Sequence, residues 1–243
     1  MARARTETVV GLTARDARSA ARVAGALYLV TFIAGIPPAL FLYSDLMADG
    51  ADALTASTNS GIRWGAFLDV INALACVGTA VVLFPVLRRC RVRFGEAAAL
   101  GFVTTRVIEA TVILVGVLSL LSLVVVRQDL DASSAALGQT LLAVHDWTLI
   151  LGPGLIPALN AALFASVLYR ADLVPRIIPT LGLIGAPLLA TAASLSILGV
   201  NEPGTVLSDV AVAPIFFWEL SVGIYLLVKG FKPTAVAAFA VDR

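Results

Sequence analysis

Charge is what this sequence has least of. Only 14% of its 243 residues are charged, against 59% hydrophobic, where a soluble domain carries about 25% charged residues. A water-soluble globule is excluded. Histidine occurs once, at His145, so neither an ordinary zinc site nor bis-histidine haem ligation can be built in one chain, and no metal or other cofactor is expected. The two cysteines, Cys76 in an apolar run and Cys90 in a basic loop, make no disulfide framework and no thiolate metal site. Seventeen basic residues nearly balance 16 acidic ones, so no electropositive face advertises nucleic acid. The sequence also lacks Gly-x-x-x-x-Gly-Lys-Ser/Thr, His-Glu-x-x-His and Gly-x-Ser-x-Gly, which removes ATP-driven transport by this chain alone and the commoner hydrolase mechanisms.

What is present is apolar sequence gathered into long runs. Six stretches, at about 23–43, 64–87, 97–126, 139–169, 177–199 and 208–228, each approach or exceed the roughly 20 residues a helix needs to cross a bilayer. The expectation is an all-α polytopic membrane protein, a six-helix transmembrane bundle over 23–230. Residues 1–22 read as a basic cytoplasmic arm and 231–243 as a cytoplasmic tail. The first run is too long for the 7–15-residue core of a signal peptide, although Ala51-Asp52-Ala53 follows it, so it reads as a retained helix. In the fourth run Gly152-Pro153-Gly154 and Pro157 predict a break whose freed carbonyls face the bundle interior.

Fourteen of the 17 Lys and Arg lie in the first 22 residues, the loop at 88–96, the loop of Arg170 and Arg176, and the tail. The positive-inside rule then places both termini on the cytoplasmic side of the membrane. The opposite loops are short and acidic, with Asp45, Asp49, Asp52, Asp129, Asp131 and Glu202. In the fifth run Gly182, Ala186, Ala190 and Ser194 recur every four residues, a small-residue stripe for internal packing or, alternatively, for a homodimer seam.

Ionisable residues inside a span cost about 2.5–3.5 kcal/mol each on insertion scales, so every one needs a partner or a task. Arg106 and Glu109 are three apart on one helix face and are expected to pair. Counting about 1.5 Å per residue from the basic ends places Asp69 and Asn72 near the outer surface, with His145 and Asp146 slightly beyond and Trp147 in an aromatic belt. By the same count Asn160 and Glu219 share the midplane. Glu219 follows Trp218 and has no basic residue within a helical turn. An unpartnered carboxyl there is cheaper neutral than charged, with Asn160 as its expected cross-helix partner.

Some of these residues are familiar in their order. Arg22-Val23-Ala24-Gly25-Ala26-Leu27-Tyr28-Leu29, Arg106-Val107-Ile108-Glu109-Ala110, His145 ahead of a Gly-rich fourth run, Leu173-Val174-Pro175-Arg176 and Leu226-Leu227-Val228-Lys229-Gly230 together resemble bacterial domain-of-unknown-function family 4386, over about residues 20–231. The resemblance implies a six-helix integral membrane protein and implies no reaction. Gly152-Pro153-Gly154 departs from it.

The leading functional expectation is a polar intramembrane pocket lined by Asp69, Asn72, Arg106, Glu109, His145, Asp146, Asn160, Trp218 and Glu219 that binds a small, lipidic or isoprenoid ligand among the membrane lipids. One alternative is an acid/base enzyme acting on an isoprenoid or other lipid, with Glu219 or Glu109 as the catalytic acid. Another is a small transporter or accessory subunit, for which inverted repeats are missing.

Overall fold

The computed structural model describes residues 12–43, 59–128, 132–201 and 205–240. The acidic residues expected in the outer loops lie outside them, as do Arg3, Arg5 and Arg243. Among the described residues all regular structure is helical. The helices are α1 (Ala14–Pro37), α2 (Asn59–Leu87), α3 (Gly95–Val126), α4 (Ala132–Leu149), α5 (Ile156–Arg170), α6 (Ile177–Ile197), α7 (Val206–Val228) and α8 (Pro233–Ala240). Short π-helical turns extend α1 at Pro38–Leu42 and join α4 to α5 at Ile150–Leu155. Six of the resulting segments are long and apolar enough to cross a membrane, α4, its π turn and α5 forming the fourth.

The first span begins at Ala14 rather than Val23. Thr13 is the reason: its side chain accepts from the Asp16 amide at 3.2 Å while the Asp16 carboxylate accepts from the Thr13 amide at 3.0 Å, a reciprocal cap that satisfies two orphan donors. Ala17, Ala21 and Ala24 then bury completely, while Arg15, Arg18 and Arg22 stay exposed. What reads as a polar arm is therefore, from Ala14 on, an amphipathic helix with an alanine stripe. The tail is likewise structured, since Phe231 and Val236 join the main core cluster and Lys232 donates to Asp172 at 2.8 Å. Lys232 and Arg176 hold the exposed Asp172 carboxyl below the usual aspartate range.

The six spans close into a ring in sequence order. α1 packs on α2, α2 on α3, α3 on the α4–α5 pair, α5 on α6, α6 on α7, and α7 returns to α1. Glycine makes the closure possible. A Cβ on Gly25 of α1 would lie 2.4 Å from the Leu227 amide nitrogen and 2.6 Å from the Gly223 carbonyl of α7, so only a residue without one permits this approach of two backbones. Gly182 serves α6 in the same way, where a Cβ would meet the Trp218 ring at 2.7 Å. The lower half of the expected small-residue stripe thus faces inward.

Polarity is inverted relative to a soluble protein. Val206, Phe41 and Ile177 are 70% or more exposed at 79%, 74% and 73%, while Arg106 and Asn160 are buried. An apolar exterior that keeps the few polar side chains inside an otherwise apolar core is the arrangement lipid demands. Beside the polar residues lies an aromatic layer in which Phe164 stacks on Phe102 at 4.8 Å and on Tyr28 at 6.2 Å and meets Trp218 edge-on at 5.8 Å.

Candidate functional site

Helix α3 presents Arg106 and Glu109 to the centre of the ring. Arg106 Nη1 lies 3.1 Å from Glu109 Oε2, the expected pair. Its other terminal nitrogen, Nη2, lies 2.9 Å from Glu219 Oε1 on α7. This overturns the solitude expected of Glu219: its cation comes from another helix, a relation that counting within one helical turn does not detect. Asn160 of α5 donates from Nδ2 to Glu109 Oε2 at 2.5 Å, so its partner is Glu109 and not Glu219. The guanidinium also covers the Tyr28 ring at 5.0 Å and the Phe102 ring at 5.7 Å, and Nη1 reaches Cys76 Sγ of α2 at 3.6 Å. Residues of α1, α2, α3 and α7 therefore meet on one arginine, and α5 joins them through Glu109.

Burial grades this cluster. The Arg106 side chain is 2% exposed and Glu109 7%, whereas Glu219 keeps 19%. Four polar atoms of the cluster have no hydrogen bond from the described residues: Arg106 Nε and Asn160 Oδ1, both fully buried, Glu109 Oε1, since both bonds to that carboxylate go to Oε2, and Glu219 Oε2, since that carboxylate bonds Arg106 only through Oε1.

A second cluster lies farther along the ring. Tyr43 donates its hydroxyl to Asp69 Oδ2 at 2.8 Å, and its ring meets the His145 ring edge-on at 5.5 Å. His145 is 4% exposed, and neither ring nitrogen has a partner among the described residues. Its side chain is therefore covered by Tyr43 rather than hydrated, on a helix that starts at Ala132. Asp69 likewise sits beyond the first turns of a helix that starts at Asn59, and is held rather than simply hydrated. Asn72 stands between the clusters, one turn from Asp69 and from Cys76, whose Sγ lies 3.9 Å from Asn72 Oδ1.

The expected lining residues are thus divided. Arg106, Glu109, Asn160 and Glu219 come together; Asp69 and His145 share Tyr43; Asp146 is exposed away from both. Trp218 is a wall residue, buried to 1% against Phe164 and Gly182. Sequence reasoning missed Cys76, Tyr28 and Tyr43. Of these only Cys76 carried a usable signal, since Asp69, Asn72 and Cys76 repeat at helical spacing on α2.

Outside the spans, Cys90 is buried with Sγ 3.5 Å from the Val86 carbonyl, and burial pushes its thiol up to about 12.

No curated protein and no solved structure matches the chain. Residues 23–230 match the family described as "Domain of unknown function (DUF4386)". That match runs from Val23, within α1, to just past the end of α7, and the chain belongs to this family.

Proposed function

We propose that the protein binds a small or lipidic ligand at the centre of its helical ring, with Arg106, Glu109, Asn160 and Glu219 as the anchoring groups. The observation that supports this reading most is the pair of buried unpartnered atoms, Arg106 Nε and Asn160 Oδ1. A buried polar atom left unpaired costs about 1–3 kcal/mol, and a clip between helices needs only one acid per arginine. A ligand that supplies the missing partners accounts for both the second acid and the orphan atoms. The aromatic layer of Phe102, Phe164 and Trp218 closes one side of the cluster, while Asn72 and Asp69 continue it on the other. The basic loop at 88–96 and both termini face the cytoplasm on this reading.

A second reading, transport, draws support from the two π-helical turns, Pro38–Leu42 and Ile150–Leu155. Such turns recur at functional sites in membrane helices.

Native mass spectrometry of the full chain released from lipid nanodiscs tests the first reading. A bound small mass is expected in the native protein and is expected to disappear in Asn160→Leu with the helical circular-dichroism signal unchanged. A protein that always flies bare, or a mass equally retained by Asn160→Leu, overturns it.

A further inference from the structure

We infer that the group this site takes from its ligand is a primary ammonium. The inference rests on the reading of the cluster as a ligand site and gives it a chemical class. Charge is the first count. Arg106 supplies one positive charge, and Glu109 and Glu219, when both are ionised, supply two negative ones. Among the described residues no other cation forms an ion pair with either acid. The ionised cluster therefore carries an excess of one negative charge where the medium disfavours it most.

Hydrogen-bonding capacity is the second count, and it is independent of the first. Glu109 accepts from both Arg106 and Asn160 on the same oxygen, Oε2, which leaves Oε1 without a donor among the described residues. Glu219 leaves Oε2, and Asn160 leaves the buried Oδ1. Three acceptor atoms are spare, against one wholly unpartnered donor, Arg106 Nε. A carboxylate or phosphate ligand would add acceptors and negative charge to a cluster already long in both. An ammonium is a compact unit charge with three N–H donors and no acceptor; it offsets the excess charge and serves the three spare acceptors, and Arg106 Nε is left to an acceptor elsewhere on the same ligand.

The surroundings fit the same class. The 19% exposure of Glu219 makes it the member that meets an arriving group first. Asp69, Asn72 and Cys76 lie on one face of α2 and lead to Arg106, and Asp69, tied to Tyr43, places a further acid at the start of that file. A cation is drawn along such a path and an anion is repelled.

The test uses the purified full chain in lipid nanodiscs and three probes of one shape: hexylammonium, hexanol and hexanoate. Hexylammonium is expected to raise the melting temperature saturably, and the other two to leave it unchanged. Glu219→Gln keeps the hydrogen bond to Arg106 and removes the excess charge, so it folds; its apparent affinity for hexylammonium is expected to fall at least about tenfold, the loss of one charge-assisted hydrogen bond. Glu219→Asp, which keeps the charge, is expected to bind more tightly than Glu219→Gln and provides the comparison if the amide variant melts early. A saturable shift with hexanol or hexanoate that Glu219→Gln alters overturns the cation class and leaves the ligand site standing. No shift with any probe overturns both, and proton uptake by one carboxyl is then how the charge is balanced. An equal hexylammonium shift in native protein and Glu219→Gln places the amine elsewhere and overturns the inference.

Discussion

Arg106 and Glu219 are 113 residues apart in the chain and 2.9 Å apart in the fold. With Glu109 on the same guanidinium, one arginine offsets two acids that stand on different helices. Deleting the arginine is therefore a different event from deleting either acid.

Arg106→Met is expected to lower stability by about 3–5 kcal/mol, because it leaves buried charges uncompensated. Adding Glu109→Leu recovers only part of this, since Glu219 still lacks a cation. The triple change with Glu219→Gln recovers the most. Thermal melts in detergent give the order, and a triple variant no more stable than Arg106→Met refutes the three-way pairing.

Gly25→Ala is expected to destabilise the bundle by about 1–3 kcal/mol, the usual cost of overpacking. The added methyl meets backbone atoms of α7 that have no rotamer to move. Gly78→Ala provides the contrast: its Cβ would meet only the tip of the Leu27 side chain, at 3.0 Å, so the change is expected to be neutral or to stabilise by the helix preference of alanine, about 0.5–1 kcal/mol. Equal losses from the two substitutions would argue against backbone contact at the α1–α7 seam.

Cys90 is expected to resist maleimide in the folded protein at pH 8. With its thiol pushed up to about 12 by burial, the thiolate fraction at that pH is on the order of one in ten thousand. Reactivity should climb as pH rises toward that value and become fast at pH 8 once the chain is unfolded in SDS. Prompt labelling of the folded protein refutes the burial. For the same reason the orientation of the loop at 88–94 is better read from a cysteine placed at the exposed Arg93 than from Cys90 itself.

The spans were legible because a membrane helix declares itself in local composition. All six runs become helices, and the Gly152-Pro153-Gly154 break appears as a π turn at Ile150–Leu155. Ala14 escaped because a hydropathy run registers leucine and valine, not a stripe of alanines set between arginines. The Arg106–Glu109 pair was legible at spacing three on one helix. The bond from Arg106 to Glu219 was not, since it depends on which helices become neighbours around the ring. The burial of His145 was not legible, since the ring that meets it, Tyr43, comes from the end of the first span and not from its own helix.

Closing the ring between its first and last spans has a consequence for how the protein comes into being. Spans enter the membrane in the order of synthesis, and α7 is the last of the six. Until it arrives, Gly25 lacks the α7 backbone and Arg106 lacks Glu219, with Glu109, Cys76, Tyr28 and Phe102 already available to it. No partial product that stops before α7 contains the complete cluster, so the central site is completed only by the last span to be made.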